Sequence, residues 1–244
     1  MKIAVISDVH GNIAALNAVL ADAAGCAVDQ IVNLGDICSG ALFPEETADR
    51  LMALDLPTIR GNHERQVLTL SHDAMGLSDQ HAASTLRDDQ RAWLAGLPPM
   101  LRLSDDVLMV HGTPGSDVEY FLETVTEAGL RAATDREIGE RAHGADVPVI
   151  LCGHTHVPRI VALDDGRLIV NPGSVGLPAY ADERPFPHAV ECGSPHARYA
   201  IVKESGGQWS ADIRLVAYDW DQAARDAMAN GREDWARALA TGHV

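Results

Sequence analysis

The alternation of short apolar strands with amphipathic helices along the first third of the chain predicts an α/β protein. Residues 2–7 form a β-branched apolar run, and the helical periodicity that follows it ends at Gly25. A second strand is predicted over residues 30–34, a helix over 44–54 and a third short strand over 57–60. This order of elements is typical of parallel βαβ units.

The middle of the chain predicts a helical region followed by a hairpin. Residues 62–97 show a weak helical periodicity. Residues 100–103 and 107–110 then read as two strands joined by the turn Ser104-Asp105-Asp106. We expect a further helix over about residues 118–143.

The last third of the chain continues the strand pattern and ends in helices. Five strands are predicted over residues 147–152, 159–163, 167–170, 199–202 and 209–216. Asp219 and Gln222 form a capping pattern that opens a C-terminal helix, and Asn230-Gly231 interrupts that helix. Trp220, Met228 and Trp235 are predicted to anchor this tail against the core. Residues 176–198 form the one long segment without a pattern, and such loops are usually functional.

Composition predicts one domain with an acidic surface. We find no repeat or linker, so we expect a single domain over residues 1–244 with a helical tail from about 218 to 244. The 35 Asp and Glu against 19 Lys and Arg give a net charge of −16. Such a surface repels the phosphates of nucleic acids and of anionic membranes, so non-specific binding to either is disfavoured.

The cysteines and the first residues favour a cytoplasmic protein. The four cysteines, Cys26, Cys38, Cys152 and Cys192, show no C-x-x-C spacing. We therefore expect reduced thiols, ahead of disulfides or a cysteine metal cluster. Residues 1–8 are too short an apolar stretch, and too acidic, for the core of a signal peptide. No apolar run approaches the roughly 20 residues of a spanning helix.

Five predicted strands each end in a polar cluster of the same kind. Because the carboxyl ends of strands in open α/β sheets form the crevice where ligands bind, we expect these clusters to meet. In chain order they are Asp8-Val9-His10, Gly35-Asp36, Gly61-Asn62-His63-Glu64, His111-Gly112 and Gly153-His154-Thr155-His156.

The side chains of these clusters are suited to binding metal ions. Asp, Asn and His together favour Mn²⁺ first, with Fe²⁺, Zn²⁺, Ni²⁺ or Co²⁺ as other candidates. Each motif alone can be explained without a metal, for example as a surface pair or a core histidine. The occurrence of all five motifs in order disfavours that explanation. Seven donors are too many for one structural zinc and suit two ions that share a carboxylate. These candidate ligands are Asp8, His10, Asp36, Asn62, His111, His154 and His156.

The ordered motifs resemble those of the calcineurin-like metallophosphoesterases over about residues 1–175, including Asn171-Pro172-Gly173-Ser174. The resemblance implies a four-layer α/β/β/α sandwich of two mixed sheets, with two metal ions at the sheet edge. It implies one ion held by Asp8, His10, Asp36 and His156. It implies a second ion held by Asp36, Asn62, His111 and His154, with Asp36 bridging the two. It also implies that His63 is the catalytic histidine.

Two details bear on the branch of this family. The run from Arg60 to Glu64 resembles the corresponding motif of Ser/Thr protein phosphatases. Those enzymes follow Gly-Asp with Asp-Arg-Gly, whereas this chain continues from Asp36 with Ile37-Cys38-Ser39-Gly40, which disfavours that activity. The compact length and the run from Ser7 to Asn12 are more similar to the small prokaryotic phosphodiesterases.

We hypothesise that the protein hydrolyses a phosphoester of a small phosphorylated or nucleotide-type substrate, as a phosphodiesterase, a phosphomonoesterase or both. A hydroxide bridging the two metals would attack, since paired ions lower the pKa of bound water, and His63 would assist the leaving oxygen. A protein phosphatase and a non-catalytic scaffold of the same fold are the alternatives. A nuclease is less expected, since the sequence shows no cluster of basic residues that could bind a nucleic-acid chain. A homo-oligomer is compatible with the sequence.

The segment 176–198 is the candidate substrate wall, with a surface loop or an oligomer contact as the equally weighted alternative. Its side chains could contact a base, a sugar or a distal phosphate. The candidate substrate contacts are Asn12, Tyr180, Arg184, His188 and Arg198.

Overall fold

Thirteen strands and eight α-helices make up the computed structural model, which describes residues 1–244. The first half contains β1 (Lys2–Ile6), α1 (Ile13–Gly25), β2 (Gln30–Asn33), α2 (Pro44–Leu54), α3 (Asn62–Thr69), a short 3-10 helix (His72–Ala74), α4 (Leu77–Thr85), α5 (Asp88–Gly96), β3 (Met100–Arg102) and β4 (Val107–Val110). The second half contains β5 (Glu123–Thr126), β6 (Gly129–Ala132), α6 (Asp135–Arg141), β7 (Val149–Leu151), β8 (Arg159–Ala162), β9 (Leu168–Asn171), β10 (Ala179–Asp182), β11 (His188–Glu191), β12 (Ala197–Ser205), β13 (Gln208–Val216), α7 (Trp220–Ala229) and α8 (Glu233–Thr241).

Two mixed sheets form the centre of the molecule. The first has the strand order β13-β12-β1-β2, and β1 runs parallel to β2 with Val5 opposite Val32. The second has the order β3-β4-β7-β9-β8, in which β4, β7 and β9 are parallel. Because the parallel strands of both sheets end toward the same edge, the residues that follow them are brought together there.

An apolar layer lies between the two sheets. Thirteen buried side chains fill it, including Val5 and Val32 from the first sheet and Met109 and Leu151 from the second. Burying such side chains stabilises by about 1.5–3 kcal/mol each, which holds the two sheets and their ends in fixed register. The predicted sandwich of two mixed sheets is confirmed.

Helices cover the outer faces of the sheets unequally. Outside the first sheet, α1, α2, α4 and α5 bury the largest cluster, which includes Leu16, Leu51, Ala82 and Leu94. Outside the second sheet the helical layer is thin, because α6 is a single seven-residue helix. The C-terminal helices α7 and α8 pack on each other and around Leu239 beside the β10–β11 hairpin. None of the helices has the length and apolarity needed to cross a membrane.

Three sequence predictions about secondary structure are wrong. The first part of the helix expected over 118–143 is the β5–β6 hairpin, and only α6 is helical. The reason is local: Thr124-Val125-Thr126 is a β-branched run, and Gly129 takes the left-handed φ of +103° that ends the turn.

Two further corrections concern strands. Residues 57–60 form no strand of their own, since only Thr58 pairs with Asn33 and the backbone of Arg60 turns to bond Pro98. The segment expected to be irregular over 176–198 contains the β10–β11 hairpin.

In the tail, Met228 is 51% exposed and therefore anchors nothing, whereas Trp235 is buried as expected.

Candidate metal centre and active site

The polar clusters that end the parallel strands meet in the structure, and the N-terminus of α3 joins them. Asp8 and His10 follow β1, Asp36 follows β2, and His111 follows β4. His154 and His156 lie in the loop after β7, and Asn62 and His63 open α3. The side chains of His, Asp and Glu among them form two compact groups of three.

The first group is Asp8, His10 and His156, all buried. The Nε2 atoms of His10 and His156 lie 3.0 Å apart, and Oδ1 of Asp8 lies 3.4 Å from the Nε2 of His156. Each histidine points its Nδ1 at a backbone carbonyl, that of Ser39 at 2.6 Å and that of Leu177 at 2.8 Å. Since a carbonyl only accepts, both Nδ1 atoms carry a hydrogen, and the two Nε2 atoms are directed at each other.

Two ring nitrogens this close need a proton or a cation between them, since their lone pairs would otherwise repel. Burial, reinforced by the nearby His156, lowers the pKa of His10 to about 4, so that His10 is neutral at physiological pH. Oδ1 of Asp8 is buried and has no hydrogen-bond partner in the protein. Burial opposes ionisation of Asp8, but His156 outweighs it and lowers its pKa to about 2. The donors of this group therefore fit a divalent cation.

The second group is Asp36, His111 and His154. Nε2 of His111 lies 3.0 Å from Oδ2 of Asp36 and 3.1 Å from Oδ1 of Asn62, while its Nδ1 bonds the carbonyl of Leu34 at 2.8 Å. Without a metal, burial is outweighed by Asp36, which raises the pKa of His111 to about 10. A proton thus occupies the position that a cation can take, and the donor set again fits a divalent ion.

The second nitrogen of His154 is held in the same way. Its Nε2 lies 3.2 Å from the carbonyl of Val118, which leaves Nδ1 for the metal group. Burial and the nearby His111 lower the pKa of His154 to about 4, so this ring is neutral and ready to bind a cation.

Five of the candidate ligands have left-handed backbone conformations. Non-glycine residues rarely adopt positive φ, and strain of this kind clusters at functional sites. The backbone amides of Asp8 and His10 donate to the carbonyls of Gly35 and Asp36 at 3.0 Å, which locks the first turn against the second. The φ values are 55° at Asp8, 53° at His10, 52° at Asp36, 68° at His154 and 59° at His156.

Glu64 holds the turn that carries Asp36. Its buried carboxylate accepts hydrogen bonds from the backbone amides of Asp36, Ile37 and Gly61 at 2.7–2.8 Å. It therefore joins the end of β2 to the start of α3. Glu64 was part of the sequence motif, but its role follows only from this folded contact.

His63 lies beside the second group and is paired with a residue that the sequence analysis missed. Its backbone amide donates to Oδ1 of Asp36 at 3.0 Å, and its Nδ1 lies 2.7 Å from Oδ1 of Asp79. Ser39 donates to the same Asp79 oxygen at 2.6 Å. Burial is outweighed by Asp36 and Asp79, which raise the pKa of His63 to about 9. Only a weak signal, one acidic residue in the first turn of α4, pointed to Asp79.

A cavity of about 1330 Å³ opens above the two groups. Tyr180 and Arg184, two of the predicted substrate contacts, line it. So does Trp235, whose ring meets that of His10 edge-on with centroids 6.0 Å apart. The sequence predicts only a core position for Trp235, because its place near the site depends on how α8 packs.

The other three predicted substrate contacts do not line this cavity. Asn12 caps α1 and donates to the carbonyl of Gly176, and His188 bonds the hydroxyl of Tyr120. The guanidinium of Arg198 is buried and donates to the carbonyls of its own loop, including that of His196 at 2.7 Å. Their polar groups are thus used within the protein.

Comparison with known proteins agrees with this geometry. Residues 1–190 match the model of the calcineurin-like phosphoesterase superfamily domain. The uncharacterized protein MJ0912 of Methanocaldococcus jannaschii is 24% identical over 259 residues, which cover 96% of this chain and 94% of that protein. The crystal structure of a metallophosphoesterase from Sphaerobacter thermophilus is similar with a TM-score of 0.77 and 28% identity, covering 99% of this chain and 100% of that one. The chain therefore belongs to the calcineurin-like phosphoesterase superfamily and is a metal-dependent phosphoric ester hydrolase.

Proposed function

We propose that the protein cleaves a phosphoester bond of a small phosphorylated or nucleotide-type substrate with the help of two divalent ions, Mn²⁺ first among them. The observation that carries the proposal is the pairing of two compact donor groups with His63 at the edge of one cavity. Four cysteines that are all free thiols support a cytoplasmic location as part of the proposal.

The proposed ligands follow the two groups. Asp8, His10 and His156 would hold one ion, and Asn62, His111 and His154 the other, with Asp36 shared between them. Asp36 lies in the second group, and its charge is close enough to influence the pKa of Asp8. When bound, a pair of such ions polarises a phosphoryl group and activates a water molecule for attack.

His63 would hold a proton for the leaving oxygen. Asp79 accepts from Nδ1 and so directs Nε2 away from itself, toward Asp36, whose Oδ2 lies 4.0 Å away. A histidine held in this way can donate to the oxygen on which negative charge develops. Asp79 therefore acts as a positioning residue for His63.

The cavity supports a substrate larger than a phosphate. Its volume exceeds the 300–1,000 Å³ usual for small-molecule pockets. We propose that Arg184, which is exposed at the cavity and makes no ion pair, contacts a part of the substrate distant from the reacting phosphate. The net charge of −16 favours small substrates over nucleic-acid chains.

The proposal is tested with protein stripped of metal and then reloaded with Mn²⁺. We expect two bound ions per chain and hydrolysis of bis(4-nitrophenyl) phosphate, 4-nitrophenyl phosphate or both, which EDTA abolishes. A panel of nucleotides and cyclic nucleotides then ranks natural substrate classes. Protein that binds two ions yet hydrolyses neither nitrophenyl ester would contradict the proposed reaction. Fewer than one ion per chain would contradict the proposed centre.

A further inference from the structure

Two tyrosine rings pack edge-on against two neighbouring histidine ligands. Tyr120 meets His154 with ring centroids 5.2 Å apart and planes at 74°. Tyr180 meets His156 with centroids 4.8 Å apart and planes at 69°. The two histidines belong to different donor groups, so each tyrosine supports one proposed metal position.

Each tyrosine comes from a segment that also holds the second nitrogen of the same histidine. Val118, two residues before Tyr120, offers its carbonyl to Nε2 of His154 at 3.2 Å. Leu177, three residues before Tyr180, accepts from Nδ1 of His156 at 2.8 Å. Each histidine ring is therefore fixed twice, by a carbonyl at one nitrogen and by a tyrosine ring packed edge-on against it.

A directed chain of hydrogen bonds joins the two supports. Nδ1 of His188 lies 2.8 Å from the carbonyl of Phe186, so Nδ1 carries the hydrogen and Nε2 accepts. Tyr120 donates to that Nε2 at 3.0 Å, and its oxygen accepts from the hydroxyl of Tyr180 at 2.8 Å. The direction therefore runs from Tyr180 through Tyr120 to His188.

Both tyrosines keep their hydroxyl hydrogens at neutral pH. A tyrosine hydroxyl ordinarily loses its proton only near pH ~10, so both hydroxyls can donate. The two side chains are half-buried at the wall of the cavity, and the chain of hydroxyls crosses the space between the segments of Val118 and Leu177. The hydrogen bond between the two hydroxyls therefore links the segments that hold His154 and His156.

We propose that Tyr120, Tyr180 and His188 are positioning residues that hold His154 and His156 in their ligating orientation and tie the two metal positions together. The inference rests on the proposed two-ion function. In this proposal each tyrosine ring supports a ligand of one ion, and the hydroxyl chain connects the two positions.

The test is calorimetric titration of metal-free protein with Mn²⁺, in backgrounds that retain one complete position. In Asn62→Ala protein the ion held by Asp8, His10 and His156 remains. We expect Tyr180→Leu to weaken its binding about three- to tenfold, and Tyr120→Leu, which takes only the hydroxyl chain from this position, to weaken it about two- to threefold. In His10→Ala protein the ion held by Asn62, His111 and His154 remains, and we expect Tyr120→Leu to weaken its binding more than Tyr180→Leu does.

A Phe variant separates the contribution of the tyrosine ring to metal binding from that of its hydroxyl. Tyr180→Phe keeps the ring edge against His156, so we expect it to restore most of the affinity lost in Tyr180→Leu. In the protein with both positions intact, it breaks the chain to Tyr120 and should weaken both ions by about two- to threefold. Phe186→Leu is the matched control, because it removes a ring from the same hairpin that contacts neither histidine ligand.

The outcomes are distinguishable. Wild-type protein that binds two ions, with both Leu variants within twofold in both backgrounds, would overturn the inference and leave the proposed function intact. Equal weakening of both positions by either Leu variant, or an equal loss in Phe186→Leu, would also overturn it. Wild-type protein that fails to bind Mn²⁺ would contradict the proposed function itself. Melting curves of each variant confirm that it is folded.

Discussion

Oδ1 of Asp79 lies 2.7 Å from Nδ1 of His63, across a gap of 16 residues in the chain. Because a carboxylate oxygen only accepts, Nδ1 carries the hydrogen and Nε2 is the nitrogen free to act at the cavity. Ser39 donates to the same oxygen, so Asp79 is itself fixed by the loop that follows Asp36. The orientation of the proposed proton donor is thus set by three segments.

Replacing His63 with Ala should lower kcat by about 10²- to 10⁴-fold, since a positioned proton donor contributes a factor of this size. The loss should be greater for alkyl phosphoesters than for nitrophenyl esters, because nitrophenolate leaves without a proton. Metal analysis serves as the control and should still show two ions. Equal losses for both leaving groups would argue against proton donation by His63.

Asp79→Asn should lower kcat/KM by roughly tenfold and move the alkaline limb of its pH profile to lower pH. The sign follows from the charge: Asp79 helps to raise the pKa of His63, so its loss lowers that pKa and the proton is lost earlier. A pH–rate profile measures this shift. Ser39→Ala leaves the carboxylate in place and should cause a smaller change, whereas an unmoved limb in Asp79→Asn would contradict the role of Asp79.

Asp36→Asn and Asp8→Asn should differ in the number of ions retained. If Asp36 is shared, its replacement weakens both positions, and we expect fewer than one Mn²⁺ per chain. Asp8 lies in one group only, so its replacement should leave about one. Elemental analysis after gel filtration measures the ratio. Retention of one ion by both variants would show that Asp36 does not bridge.

Glu123 gives the protein a pH-dependent stability. Its side chain is 4% exposed, neither oxygen has a hydrogen-bond partner, and the guanidinium of Arg159 lies 3.9 Å away and donates to carbonyls. Burial therefore raises its pKa from 4.5 to about 7, against smaller lowering effects of Thr155, Arg159 and Arg141. The neutral form is favoured on folding, so stability falls as the pH rises from about 4.5 through about 7.

Glu123→Gln should remove this pH dependence. Relative to wild type, the variant should gain about 3 kcal/mol in the free energy of unfolding between pH 4.5 and pH 8, from the pKa difference of Glu123. Urea unfolding at several pH values measures the difference between the two proteins. Glu119→Gln, at an exposed position nearby, is the control and should show no comparable trend. A constant difference across this range would refute the effect.

Elements with strong local patterns were predictable. The strands around β1, β2, β4 and β9 were predicted within one or two residues, because continuous apolar runs bounded by polar residues specify buried strands. The Asp219 cap was also confirmed, since its Oδ1 accepts from the amide of Gln222 at 2.9 Å. In contrast, the sequence predicts helix where β5 lies, because the flanks of this strand mix apolar and charged residues at irregular spacing.

The candidate ligands were predictable for a related reason. All follow a strand or open a helix, and the parallel arrangement of strands brings such positions to one edge whatever the details of packing. The substrate contacts were less predictable, since Arg184 reaches the cavity while Arg198, in the same segment, turns inward to bond carbonyls. Residue type does not distinguish the two arginines.

The residue pattern alone identified the candidate donor residues, the order of the motifs and membership of the phosphoesterase superfamily, because these are encoded within short stretches of chain. Tertiary structure decided which nitrogen of each histidine faces the candidate metal position, since the carbonyls of Ser39, Leu34, Val118 and Leu177 come from other segments. It also decided the pairing of Asp79 with His63 and of Tyr120 with Tyr180. Contacts between distant segments depend on how layers pack, and no spacing within the sequence records them.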